Sequence, residues 1–166
     1  MRLTNIARFD TGPVAHELTL TLEAFEDRVT TDDPGNDSLT PSGTRSVWSL
    51  NAADRLLIGD TAVTLGLSGD GYRLSSAEGG SSGTALSPRL AVEQPLSDRF
   101  TLHGALSLGY RPPALSEALV DGAHPEPADF AVRPNPNLKA ERAFTSEIGL
   151  SHDGTLFSAD DTLSAR

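Results

Sequence analysis

His124 is the residue of this sequence best suited to ligand chemistry. A neutral imidazole is a good axial ligand for haem iron and an equally good ligand for divalent metals. Around it stand Asp121, Glu126 and Asp129, an N/O set of the kind that holds zinc. The bland alternative is a solvated loop histidine whose acidic neighbours keep the segment hydrated. The other histidines, His16, His103 and His152, fall in different elements with no acid or nucleophile at a recurring spacing. No enzyme is expected. Gly66-Leu67-Ser68-Gly69 is not a nucleophile elbow, because its second glycine comes one residue early. No glycine-rich run opens a helix to cradle phosphate.

The elements that must position His124 are strands. From Phe100 to Tyr110, Phe100, Leu102, Leu106, Leu108 and Tyr110 alternate with Thr101, His103, Ala105, Ser107 and Gly109. A period of two with one oily face is a half-buried strand. Phe144, Ile148 and Leu150 repeat the pattern from Glu141 to His152. Between the two lies a loop, Arg111 to Ala140, of about thirty residues, far longer than compact domains use. Pro112, Pro113, Pro125, Pro127, Pro134 and Pro136 hold it extended. In Asn135-Pro136-Asn137-Leu138, the first asparagine favours turn geometry and can bond nearby backbone, a structural role that launches the strand at Arg142.

The rest of the chain keeps the same rhythm. Strands are expected over Leu3 to Asp10, Glu17 to Glu26, Ser46 to Ile58, Thr61 to Tyr72 and Leu86 to Gln94, with a further one from Leu156 onward. The Ser/Gly-rich run Leu74 to Ala85 predicts a flexible loop, and Asp153-Gly154 predicts a tight hairpin. Connections alternate short and long, as they do in a membrane barrel with tight turns at one rim and long loops at the other. Strands near ten residues suit a tilted crossing of a bilayer. The expected fold is therefore all-β: about seven antiparallel strands, residues 1–166, forming a fragment of a transmembrane β-barrel. A soluble acidic β-sandwich acting as a binding module is the competing class. It requires the oily faces to meet in a shared core.

Composition narrows the partners. The net charge of -10 repels a phosphate backbone, so no nucleic-acid partner is expected. Cysteine is absent, which excludes thiol chemistry and a disulfide scaffold. No apolar run is long enough for a membrane helix. The start Met1 to Ile6 lacks the apolar core of a signal peptide, so an exported protein is expected to carry one upstream. An aromatic content of 5% is sparse for barrel girdles.

Tyr110-Arg111-Pro112-Pro113, Ser116-Glu117, Gly122-Ala123-His124, Pro134-Asn135-Pro136-Asn137-Leu138-Lys139-Ala140-Glu141 and Glu147-Ile148-Gly149-Leu150 together resemble the TonB-dependent outer-membrane receptors, most of all their haem/haemoglobin branch. The match covers about a quarter of the chain. It departs at Pro112, where the family prefers Ala, and at Ala140, where it prefers Pro.

The resemblance implies an outer-membrane receptor set in lipid and driven by the TonB complex through a plug domain that this chain does not include. It further implies haem as transported ligand and a host haem protein as partner. His124 would be the haem axial ligand, in an extracellular loop bracketed by the two boxes. Zinc receptors of the same superfamily resemble the Gly122-Ala123-His124 region too. Zinc held by Asp121, His124 and Glu126, or a ferric siderophore, is then the alternative cargo.

Overall fold

The computed structural model describes residues 1–30, 42–77, 79–119, 122–123, 131–154 and 162–165. Alternating apolar and polar residues give strands β1 (Arg2–Thr11), β2 (Val14–Val29), β3 (Gly43–Ile58), β4 (Thr61–Ser76), β5 (Gly79–Pro95) and β6 (Phe100–Arg111). A short helix α1 (Leu115–Leu119) and a two-residue ladder of β7 (Gly122–Ala123) with β8 (Ala131–Val132) follow. Then come β9 (Glu141–Asp153) and β10 (Thr162–Ala165). Among the described residues, seven long strands and the short β10 form one open antiparallel sheet in the order β1-β2-β3-β4-β5-β6-β9-β10. Each long strand pairs with its predecessor in the chain, the α1–β8 excursion aside.

The register sorts residues cleanly between two faces. One continuous row reads Ala7, Leu18, Asp54, Leu65, Leu90, Leu106 and Ser146. The adjacent row, on the opposite face, reads Arg8, Glu17, Arg55, Thr64, Ala91, Ala105 and Glu147. Arg8 pairs with Glu17 at 2.7 Å and Arg55 with Glu93 at 3.6 Å on that polar face. A one-residue slip would exchange the faces, so the register is strongly specified.

The apolar face has no interior to enter. Leu20, Leu65, Leu106 and Ile148 remain 42%, 51%, 46% and 72% exposed, so they do not converge and the sandwich is excluded. An apolar area of this extent is far larger than soluble monomers tolerate and calls for a covering partner. Among the described residues, buried apolar ones are few, and most of them, Tyr72, Leu74, Leu115, Ala118 and Leu119, gather at the rim where the ends of the long loop sit.

Three details differ from the sequence expectation. Strands β2, β3 and β4 have 16 residues each rather than ten. At ~3.3 Å per residue and a tilt of roughly 40°, they reach about 40 Å, well past an apolar band of ~25 Å. They therefore stand proud of any bilayer. The Ser/Gly run from Leu74 to Ala85 is not a loop: β4 and β5 stay paired up to Ser76–Gly79. Serine and glycine carry no hydropathy signal, and the burial that fixes this hairpin comes from the distant loop. Finally, Asp153-Gly154 does not make a two-residue hairpin, because Asp153 pairs with Thr162. Leu156 lies outside the described residues.

The remaining connections do sort by rim. Residues 12–13, 59–60 and 96–99 are tight turns at one end, while 30–42 and 112–140 are long at the other. Gly12 and Gly59 take positive φ of 62° and 59°, the backbone that two-residue turns demand.

Candidate functional site

The long loop is built as a folded cap rather than a free strap. Pro112 and Pro113 end β6, and α1 begins where proline no longer restricts the chain. Glu117, three residues past Ala114, reaches back so that its Oε2 accepts the Ala114 N–H at 3.0 Å, one half of a capping box. Leu115, Ala118 and Leu119 then fall on one stripe at i, i+3 and i+4, and all three are buried. They pack on Tyr72 and Leu74, with Val29, Val47, Leu138 and Ala140 around them. Val29, Val47, Tyr72 and Leu74 belong to the polar face of the sheet by register. The described ends of the loop are thus folded inward over that face.

Polar contacts lash its two ends together. The Arg111 guanidinium donates to Glu141 at 3.0 Å and twice to Glu117 at 2.9 Å. Arg45 donates to the Pro113 carbonyl at 3.0 Å while paired with Asp27. The Ala114 N–H first, and Arg111 second, hold the Glu117 carboxyl below the ordinary carboxylate range. A depressed native pKa means this lashing is fully present above about pH 4.3, the free glutamate value, and is lost as pH falls through the lower native value. Protease protection of residues 112–140 is therefore expected to be flat from neutral pH to about pH 5 and to decline below pH 4. Glu117→Gln is expected to give weaker protection with a flatter pH profile, and an unchanged profile would refute the assignment.

The Asn-Pro-Asn-Leu box closes the loop. Asn135 N–H donates to the Ala118 carbonyl at 2.8 Å, and Asn135 Oδ1 accepts from Asn137 N–H at 3.2 Å. Pro136 lies against Gly79, and the Leu138 carbonyl accepts from the Tyr72 hydroxyl at 3.3 Å. This segment lies beside the tip of β5, whose ladder with β6 stops at Arg89–Ser107. The next position on β5 is Pro88, which has no N–H to donate. Tyr110, freed from that ladder, leaves the oily row expected of it and packs against the Tyr72–Leu74 cluster. Its hydroxyl is buried.

Of the residues singled out in the sequence, Tyr110, Arg111, Pro112, Pro113, Asn135, Pro136, Asn137 and Leu138 are brought together at the loop base. His124, Asp121, Glu126 and Asp129 lie outside the described residues. Among the described residues no cluster of three or more His, Asp or Glu is placed to hold a metal. The residues that seat the loop, Arg45, Tyr72, Leu74 and Leu119, carry no motif. The i, i+3, i+4 spacing of Leu115, Ala118 and Leu119 is a signal that could have found the helix, while nothing in the sequence marks Arg45, Tyr72 or Leu74.

Residues 3–164 match the family model described as TonB dependent receptor-like, beta-barrel. The fold also matches a structure of a double mutant of the Serratia marcescens hemophore receptor HasR in complex with its hemophore HasA and heme. The TM-score is 0.77 and the identity 26%, over 98% of this chain and 31% of that one. The chain thus spans about a third of that receptor's length. No curated protein matches the sequence. A single open sheet with an oily side, tight turns at one rim and a long inward-folded loop at the other is what a wall segment of such a receptor requires, and the chain belongs to the TonB-dependent receptor β-barrel family.

Proposed function

We propose that this chain forms part of the barrel wall and the extracellular ligand loop of an outer-membrane receptor that takes up haem or haem-protein iron. The observation that carries this reading is the inward seating of residues 112–119 and 133–140 on a chain 26% identical to HasR along 98% of its length. With both described ends of the loop seated on the polar face, a binding role for the segment between them is the natural reading.

In this reading haem is cargo, and His124, next in sequence after β7, supplies an axial imidazole to its iron. The oily face meets outer-membrane lipid. A host haem protein docks at the loop rim, and the TonB complex acts through a plug domain.

The test is His124→Ala in the full-length receptor. Haem affinity is expected to fall at least about tenfold, or ~1.4 kcal/mol, with loss of the imidazole signature in the haem spectrum. Unchanged affinity and spectrum would remove His124 from the site. Equilibrating the unsubstituted receptor with haem, zinc and a ferric siderophore tests the cargo itself. Retention of zinc alone, abolished by substituting Asp121, His124 or Glu126, would replace the haem reading by the zinc one.

A further inference from the structure

The fold brings together three residues that the sequence keeps apart, at the tight-turn rim and on the oily face. His16 Nδ1 lies 2.8 Å from Asp54 Oδ2, and His16 Nε2 lies 2.7 Å from Thr11 Oγ1. Thr11 is the last residue of β1, His16 is in β2 and Asp54 is in β3. An ionised carboxylate only accepts hydrogen bonds, so Nδ1 carries the proton facing Asp54. In the neutral ring Nε2 is then an acceptor, aimed at the Thr11 hydroxyl. The ring is held from a third side by Phe9, stacked at 4.8 Å with an interplanar angle of 5°.

We propose that Thr11, His16 and Asp54 form an acyl-transfer centre acting on the acyl esters of glycerophospholipids. The geometry is that of a nucleophile, its general base and the acid that orients the base. Neutralising Asp54 on a lipid-facing wall explains the Asp54–His16 contact. A charged pair would put a proton on both ring nitrogens and make Nε2 a donor to Thr11, whereas the neutral ring of the proposed centre leaves Nε2 to accept the Thr11 proton.

The turn supplies the remaining part. Gly12 follows the nucleophile at φ 62°, has open space where a Cβ would stand, and lies beyond the last ladder pair, Thr11–Val14. The centre takes its oxyanion donor from this turn, the Gly12 N–H being adjacent in the chain to the Thr11 nucleophile. Val14 and Ile58, paired on the same face as Thr11, offer an apolar border for an acyl chain. The choice of lipid as substrate rests on the oily face meeting a bilayer.

The chemistry balances without a cofactor. His16 Nε2 takes the Thr11 proton as Oγ1 bonds to the ester carbonyl carbon. Collapse of the tetrahedral adduct breaks the acyl–oxygen bond, and His16 returns the proton to the departing lysophospholipid. Water, deprotonated by His16, then cleaves the acyl-threonine, releasing a fatty acid and restoring the hydroxyl.

The experiment uses the full-length protein in detergent micelles containing a glycerophospholipid, with fatty-acid release as readout and a fluorophosphonate as active-site probe. Slow release is expected, falling at least roughly 100-fold in Thr11→Ala and in Asp54→Asn. The probe is expected to form a mass-detectable adduct on Thr11 that disappears in His16→Ala. Release that persists in Thr11→Ala, or no release and no adduct in protein that still binds haem, would overturn the centre. Haem binding in the same samples reports on the receptor reading separately, because it is expected to be unchanged in all three variants.

Discussion

Leu119→Ala is expected to unseat the long loop while leaving the barrel wall intact. Leu119 is fully covered, packed with Ala118 and Leu115 against Tyr72 and Leu74. Truncating a buried leucine typically costs ~2–5 kcal/mol in lost transfer and cavity terms. The cluster that seats the loop is small, so a loss of that size is comparable with the whole docking free energy. The loop opens as a local unit, since its other ties are surface ion pairs and single hydrogen bonds worth about 1 kcal/mol each. Hydrogen exchange is expected to rise over residues 112–119 and 133–140 and to stay unchanged in β2, β3 and β9. Gly43→Val should act in the same direction, because a side chain at position 43 meets the Leu119 methyl directly. Retained protection in both variants would show that the loop is held by something other than this cluster.

Leu65→Arg is expected to block assembly into a bilayer, while Thr64→Arg one residue away is expected to be tolerated. The two positions sit on opposite faces by register, in the rows that carry Leu90 and Leu106 and that carry Ala91 and Ala105. An arginine on the lipid face costs up to ~2–4 kcal/mol at the bilayer midplane and less toward the rims, whereas on the luminal face the cost is near zero. The fraction of full-length protein that folds into vesicles checks this. Equal behaviour of the two arginines would remove the facial assignment.

Much of this was legible in the residues. Alternation alone located the strands and their oily side, because a period of two leaves no other reading for Phe100 to Tyr110 or Glu141 to His152. The length and proline content of residues 111–140 marked the loop. What was not legible depends on partners far away in sequence. The Ser/Gly stretch forms a hairpin because Tyr72 and Leu74 are covered by a helix some forty residues later. Tyr110 changes company because Pro88, on the neighbouring strand, interrupts a ladder. Thr11, His16 and Asp54 carry no common spacing, and only the pairing of three strands sets them side by side.

The central claim, a wall with lipid on one side and an aqueous lumen on the other, is tested most directly by nitroxide labels at Leu20, Leu65, Leu106 and Ile148 in the bilayer-embedded full-length protein. Collisions with lipid-dissolved oxygen should dominate at all four, and collisions with a water-soluble nickel chelate should dominate at Thr19, Thr64 and Ser107. Labels at the four apolar positions that are shielded from both reagents and close enough to broaden one another would show a shared interior and contradict the account.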